Sequence, residues 1–166
     1  AGCKVYGIAG GKEKCEMLIN DFGFDGAIDY KSEDLNESIG KLCPNGADIV
    51  YDNVGGRILN DCLLHLALNA RIAICGLISR HKTDNMNFGP ENYSNLIFKR
   101  ATMQGFLVLD YMSEAHVARK RIKKWIKDGI LVCKEDIKEG FENAPDTLKG
   151  LFDGQNKGKQ LLKIAN

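Results

Sequence analysis

At 166 residues with a net charge of +1, the chain is long enough for one domain with a sizeable core, and nothing global draws it to nucleic acid or an anionic membrane. Its 44% apolar and 27% charged content is that of an ordinary globular protein, with no secretory leader and no apolar run near the roughly 20 residues of a membrane span. The cysteines (Cys3, Cys15, Cys43, Cys62, Cys75, Cys133) form no C-x-x-C pair and no zinc-type spacing with histidine. They read as reduced, mostly buried thiols of a cytoplasmic protein, with neither a metal site nor a disulfide framework.

In chain order, residues 5–9 predict a strand ended by Gly10 and Gly11. Cys15, Leu18, Ile19 and Phe22 then recur at helical spacing up to Gly23. A short strand over 27–30 follows, and Ser32 is the expected N-cap of a helix carrying Leu35, Ile39 and Leu42, which Pro44 stops. Residues 48–52 have the apolar, β-branched character of a strand covered on both faces, and they run straight into Asn53, Val54, Gly55 and Gly56. Asn53 therefore stands at the carboxyl end of a strand, where open α/β sheets place their ligands. The helix after it presents Leu59, Cys62, Leu63 and Leu66, and residues 71–76 form the next strand. A looser stretch over 80–90 is long for a connection and reads as a binding loop. A short helix over 93–99, a strand over 103–109 and a long helix through Ala115, Ala118, Ile122, Trp125 and Ile126 to Gly129 complete the winding.

This alternation predicts an α/β fold with a doubly wound parallel sheet of Rossmann type. Residues 139–166 hold one short helix (Leu148, Leu151, Phe152) and a last strand, and they break the rhythm, as a segment of another layer would. The Gly-x-Gly-x-x-Gly fingerprint of a dinucleotide fold is missing, so the sheet is expected to lack its first strand and the chain to be a piece of a longer protein.

The chemistry-bearing residues are few. In a dinucleotide fold, a carboxylate near the end of the second strand takes the adenosine ribose and selects NAD. Here Ala9, Gly10 and Gly11 leave that place small, and Lys12 and Lys14 follow. Room plus a lysine suits a 2′-phosphate and hence NADP; the alternative is two solvated lysines in a first helical turn. A methyltransferase, which shares the fold type, would want an acidic residue near 9–11, and none comes before Glu13. His81 reads either as a proton donor in the loop or as a surface residue; His65 and His116 have no partner in view. The basic run of residues 119–127 fills the helix face opposite Ile122, Trp125 and Ile126, so it reads as a solvated face.

Five motifs in register carry a resemblance. Gly7-Ile8-Ala9-Gly10 with Glu13-Lys14, Asp52-Asn53-Val54-Gly55-Gly56, Ile72-Ala73-Ile74-Cys75-Gly76 with Ile78-Ser79, Glu139-Gly140-Phe141-Glu142-Asn143-Ala144-Pro145 and Asn156-Lys157-Gly158-Lys159 resemble the zinc-independent medium-chain reductases. The likeness is to their prostaglandin/alkenal reductase and curcumin reductase branch. The resemblance implies reduction of enone and enal carbon–carbon double bonds by NADPH, and a homodimer, here expected through strand 103–109. It implies that Lys14 meets the 2′-phosphate, Tyr30 packs at the adenine end and Asn53 lies beside the pyrophosphate path. Cys75, Gly76, Leu77, Ile78 and Ser79 would line the cofactor cleft, Phe106, Leu107 and Val108 the nicotinamide side, and Asn156 would reach back from the tail. Residues 1–130 would then be the incomplete NADP-binding domain, and 131–166 the end of a GroES-like domain. The family's tyrosine two residues beyond the Ile-Ser pair is replaced here by His81, so no catalytic residue is assigned. A non-catalytic nucleotide-binding or structural module of the same fold is the alternative.

Overall fold

Leu59, Leu63, Leu66, Ala70 and Ile72 are buried together, with Val50, Ile74, Leu96 and Ala101 packed around them. The computed structural model of the chain describes residues 2–79 and 89–165. Burying each large aliphatic side chain is worth about 1.5–3 kcal/mol, and this cluster fixes the strands that lead to the candidate site. The elements are β1 (Tyr6–Ala9), α1 (Lys12–Asn20), β2 (Gly26–Asp29), α2 (Leu35–Leu42), β3 (Ala47–Asp52), α3 (Gly56–Cys62) and β4 (Leu66–Ile74), then α4 (Asn95–Lys99), β5 (Thr102–Gly105), α5 (Ala115–Lys127), β6 (Glu135–Glu139), α6 (Ala144–Phe152) and β7 (Lys159–Lys163). The chain divides into two compact units, Ala1–Ala27 with His116–Asn166, and Ile28–Ala115.

The α/β class with parallel strands is as expected, but among the described residues the strands are shared among three sheets: β1-β2, β3-β4-β5 and β6-β7. Pairing of β3 with β4, β4 with β5 and β6 with β7 is parallel. Several local expectations are corrected. Asp34, not Ser32, caps α2, accepting from the Glu37 N–H, while the Ser32 hydroxyl is spent on Asp29 Oδ2 at 2.8 Å. The helix after Gly55 ends at Cys62, and Leu66 begins β4 although it stays fully buried. Asn69, at φ 62°, kinks β4 and accompanies the register shift between Ala47 and Ile49 of β3; asparagine tolerates that left-handed conformation.

Strand β3 is not covered on both faces. Side chains alternate along a strand, and Ile49 and Tyr51, which share one face, are exposed, whereas Asp52 on the other is buried. The fifth strand stops at Gly105, and Val108–Glu114 turns as a 3-10 segment instead of extending the ladder to Leu109.

In the unit that holds the tail, β6 was not anticipated. Its sequence is mostly charged, but the parallel ladder with β7 sets Ile137 beside Leu161 and Glu139 beside Lys163, whose side chains approach to 3.9 Å at the surface, so backbone pairing supplies what hydrophobic patterning does not. Helix α5 runs as expected, and Arg121 lies over the Trp125 ring at 5.7 Å. Of the loop expected at 80–90, residues 80–88, including His81, lie outside the described residues.

The thiols are less buried than expected: Cys15 is buried, but Cys3, Cys75 and Cys133 are exposed. Burial, with Asp52, Asp61 and Cys43 nearby, pushes the Cys62 thiol up to about 12. The thiolate is the reacting form. Iodoacetamide at a pH of about 8 is therefore expected to label Cys3, Cys75 and Cys133 and to spare Cys62 until the chain is unfolded. Peptide mass mapping that finds Cys62 labelled as fast as Cys133 would contradict this.

Candidate functional site

In the unit of residues 28–115, the candidate site forms where β3 and β4 end side by side. The Cys75 N–H donates to the Asp52 carbonyl at 2.7 Å, Ile78 N–H to Asn53 at 3.3 Å and Ser79 N–H to Val54 at 3.0 Å. The two strand exits thus run together as a backbone floor. Gly76 lies so close to Asn53 that an added Cβ would run into Asn53 Oδ1, with the Asn53 carbonyl oxygen 3.3 Å away. Across the same turn Gly55, at φ +72°, faces Leu77 and Ser79. Asn53, Cys75, Leu77 and Ile78 are exposed along this floor, with Gly76 and Ser79 partly so. Such a shape, glycine backbone with one amide side chain and apolar flanks, suits the close approach of an extended cofactor.

Asp52 holds the turn in place. Its buried carboxylate accepts from the Gly55 N–H at 2.9 Å (Oδ2) and 3.1 Å (Oδ1), and from Val54 N–H at 3.3 Å. Burial pushes its pKa above the ordinary 3.8, and the two backbone N–H groups oppose that shift. Because the folded state holds the proton more tightly than the unfolded chain, Asp52's own contribution to stability grows as pH falls through the window just above 3.8. This is opposite in sign to an ion-paired carboxylate. Asp52→Ala strands buried donors and is expected to cost about 1–3 kcal/mol in urea unfolding near neutral pH. Asp52→Asn keeps an acceptor and is expected to cost little and to remove that acid-side gain. Equal losses for the two variants would contradict the capping role. This residue was missed in the sequence, although an Asp three places before a glycine at a strand end is a turn signal.

Phe106 sits beside Tyr51, with ring centroids 6.3 Å apart, and edge-on to Tyr111 at 6.5 Å. Hydrogen bonding to the Cys75 thiol, with some burial, raises the Tyr51 pKa above 10.0. Leu107 and Val108, beyond the end of β5, are exposed. The structure therefore brings together Asn53, Cys75–Ser79 and, through Tyr51, Phe106. Tyr30 stands just past β2, half exposed.

Lys14 and Asn156 belong to the other unit. Lys14 follows the small residues Ala9, Gly10 and Gly11 on the first turn of α1, and its Nζ donates to the Gly154 carbonyl at 2.6 Å. Lys12 is different, projecting into solvent near Glu16 at 3.7 Å. Asn156 donates its amide to the Gly158 carbonyl at 2.7 Å, which shapes the turn before β7. Lys14 lines a cleft of about 190 Å³ with Glu13, Glu16, Asp21, Lys134 and Lys157.

The zinc-binding dehydrogenase family model matches residues 1–124. The chain belongs to that family. It is 37% identical over 169 residues to the NADPH-dependent curcumin reductase of Escherichia coli, covering 99% of this chain and 49% of that protein. It is 42% identical over 165 residues to the 2-alkenal reductase (NADP(+)-dependent) of Nicotiana tabacum, covering 99% of this chain and 48% of that protein. The crystal structure of CurA from Vibrio vulnificus in complex with NADPH superposes with a TM-score of 0.91 at 38% identity, covering 99% of this chain and 50% of that one. The resemblance to the curcumin and alkenal reductase branch is borne out, and the chain spans about half the length of the relatives it matches. Among the described residues no three His, Cys, Asp or Glu side chains gather as a possible ligand set. No helix among them is long and apolar enough to cross a membrane.

Proposed function

We propose that the chain is the cofactor-binding portion of an NADPH-dependent oxidoreductase that reduces the carbon–carbon double bond of enones and enals. It would act within a longer, cytoplasmic protein. The observation that carries this reading is Lys14: an ordered ammonium on the first turn of α1, behind small residues with no carboxylate, as a 2′-phosphate requires. Its likeness to reductases named for NADPH and NADP supports the same cofactor. In this reading Tyr30 packs at the adenine end, Asn53 borders the pyrophosphate, and Cys75–Ser79 form the floor. Phe106, Leu107 and Val108 flank the nicotinamide, and Asn156 shapes the tail turn. Residues 1–130 serve the cofactor domain and 131–166 the second domain.

Bound NADPH would supply the hydride. The chain's own part is to place the cofactor and keep water from it, with Leu77, Phe106 and Val108 as apolar walls, so that most of the acceleration comes from positioning. The test is NADPH consumption by the longer protein with an alkenal and with the matching saturated aldehyde. Turnover of the alkenal alone is expected; turnover of the aldehyde alone, or of neither, would overturn the proposal.

The same reading includes a homodimer through the β5 edge. Among the described residues Thr102–Gly105 ends its sheet, with all four residues exposed, and an open strand edge favours pairing with its twin. Sedimentation at micromolar concentration is expected to give a dimer, and a monomer would count against it.

A further inference from the structure

We propose that the turn between α6 and β7 is a positioning element for Lys14, held against α1 by the ion pair of Lys157 with Glu13. Discrimination of a 2′-phosphate would then depend on residues that never touch it. The inference rests on the NADP reading of Lys14 given above.

A lysine ammonium is a point charge on a long flexible stem, so its value to a ligand depends on how far it is ordered beforehand. Lys14 is ordered from a distant part of the chain: its Nζ donates to the Gly154 carbonyl at 2.6 Å, 140 residues away. That carbonyl is aimed by the turn itself. Gly154 adopts φ +68°, its N–H donates to the Leu151 carbonyl at 3.1 Å, and Gln155 N–H donates to Gly150 at 2.8 Å. Three residues on, the Lys157 side chain bridges to Glu13, the neighbour of Lys14 on α1, while its backbone N–H donates to Asp136 Oδ2 at 3.0 Å. The turn is thus tied both to α1 and to β6.

The charges around the cleft exclude a simpler account. Lys14, Lys134 and Lys157 are matched in number by Glu13, Glu16 and Asp21, so the lining carries no net formal charge. Selection of a phosphate must then come from where one ammonium is held and not from the summed field.

Field and placement predict opposite signs for one substitution, and this makes the test. Affinities of the 166-residue chain for adenosine 2′,5′-bisphosphate and for 5′-AMP are measured by titration, and their ratio is taken. Removing the Glu13 carboxylate strengthens phosphate binding if the field governs. If placement governs, Glu13→Ala and Lys157→Ala both lower the ratio by about two- to fivefold, the scale of an exposed pair, and Lys157→Arg restores it. Both side chains of the pair are more than half exposed, so these variants leave the core untouched. A raised ratio in Glu13→Ala overturns the inference. So do unchanged ratios in both variants while Lys14→Ala abolishes the preference, and the NADP reading then stands. A preference that survives Lys14→Ala, or binding of neither nucleotide, overturns the reading and the inference together.

Discussion

Gly158→Ala is expected to lower the stability of the unit containing β6 and β7 by about 2–5 kcal/mol, the sum of backbone strain and overpacking. Gly158 adopts φ +112°, where only glycine is at ease, and an added Cβ would run into the Lys134 carbonyl oxygen with the carbonyl carbon 2.8 Å away. That carbonyl cannot move aside cheaply, because it accepts from the Lys159 N–H at 2.8 Å, at the start of the β6-β7 ladder. The glycine of the Asn156-Lys157-Gly158-Lys159 motif is therefore a structural requirement of the tail. Hydrogen exchange at the β7 amides measures it directly. Protection in Gly158→Ala equal to that of the parent sequence would contradict the steric argument.

Lys14→Ala is expected to weaken NADPH binding by about 1.5–3 kcal/mol, roughly ten- to a hundredfold, and to leave NADH binding unchanged. The loss comes from one charge-assisted contact to the 2′-phosphate, which NADH lacks. Titration of the variant with both cofactors checks it; a parallel loss for NADH would mean that Lys14 acts on the fold and not on the phosphate.

Much of this was legible in the sequence because local chemistry and tertiary packing agree there. Helix α2 keeps its apolar stripe and its stop at Leu42, ahead of Pro44, and α5 keeps its amphipathic arc to Lys127, two residues short of the turn at Gly129. The strand–glycine turn at 52–56 stands where the pattern put it, and Asn53 meets the Cys75–Ser79 segment there. What was not legible depends on partners distant in sequence. Strand β6 has almost no hydrophobic pattern and is held by its backbone ladder with β7, a partner about twenty residues further along the chain. Leu66 fits the helical stripe of Leu59, Cys62 and Leu63, yet the chain leaves the helix after Cys62 and buries Leu66 from a strand. Asp34 and Ser32 are both good capping residues, and Asp29 decided between them by taking the Ser32 hydroxyl. The hold of Gly154 on Lys14 is a backbone carbonyl contact, which no residue type announces.

The account's central claim is that this chain recognises the 2′-phosphate of NADP. Isothermal titration of the 166-residue chain with NADPH and NADH side by side tests it most directly. The predicted result is weak NADPH binding, above the low micromolar range, at least about tenfold tighter than NADH. Equal affinities for the two cofactors, or a preference for NADH, would contradict it.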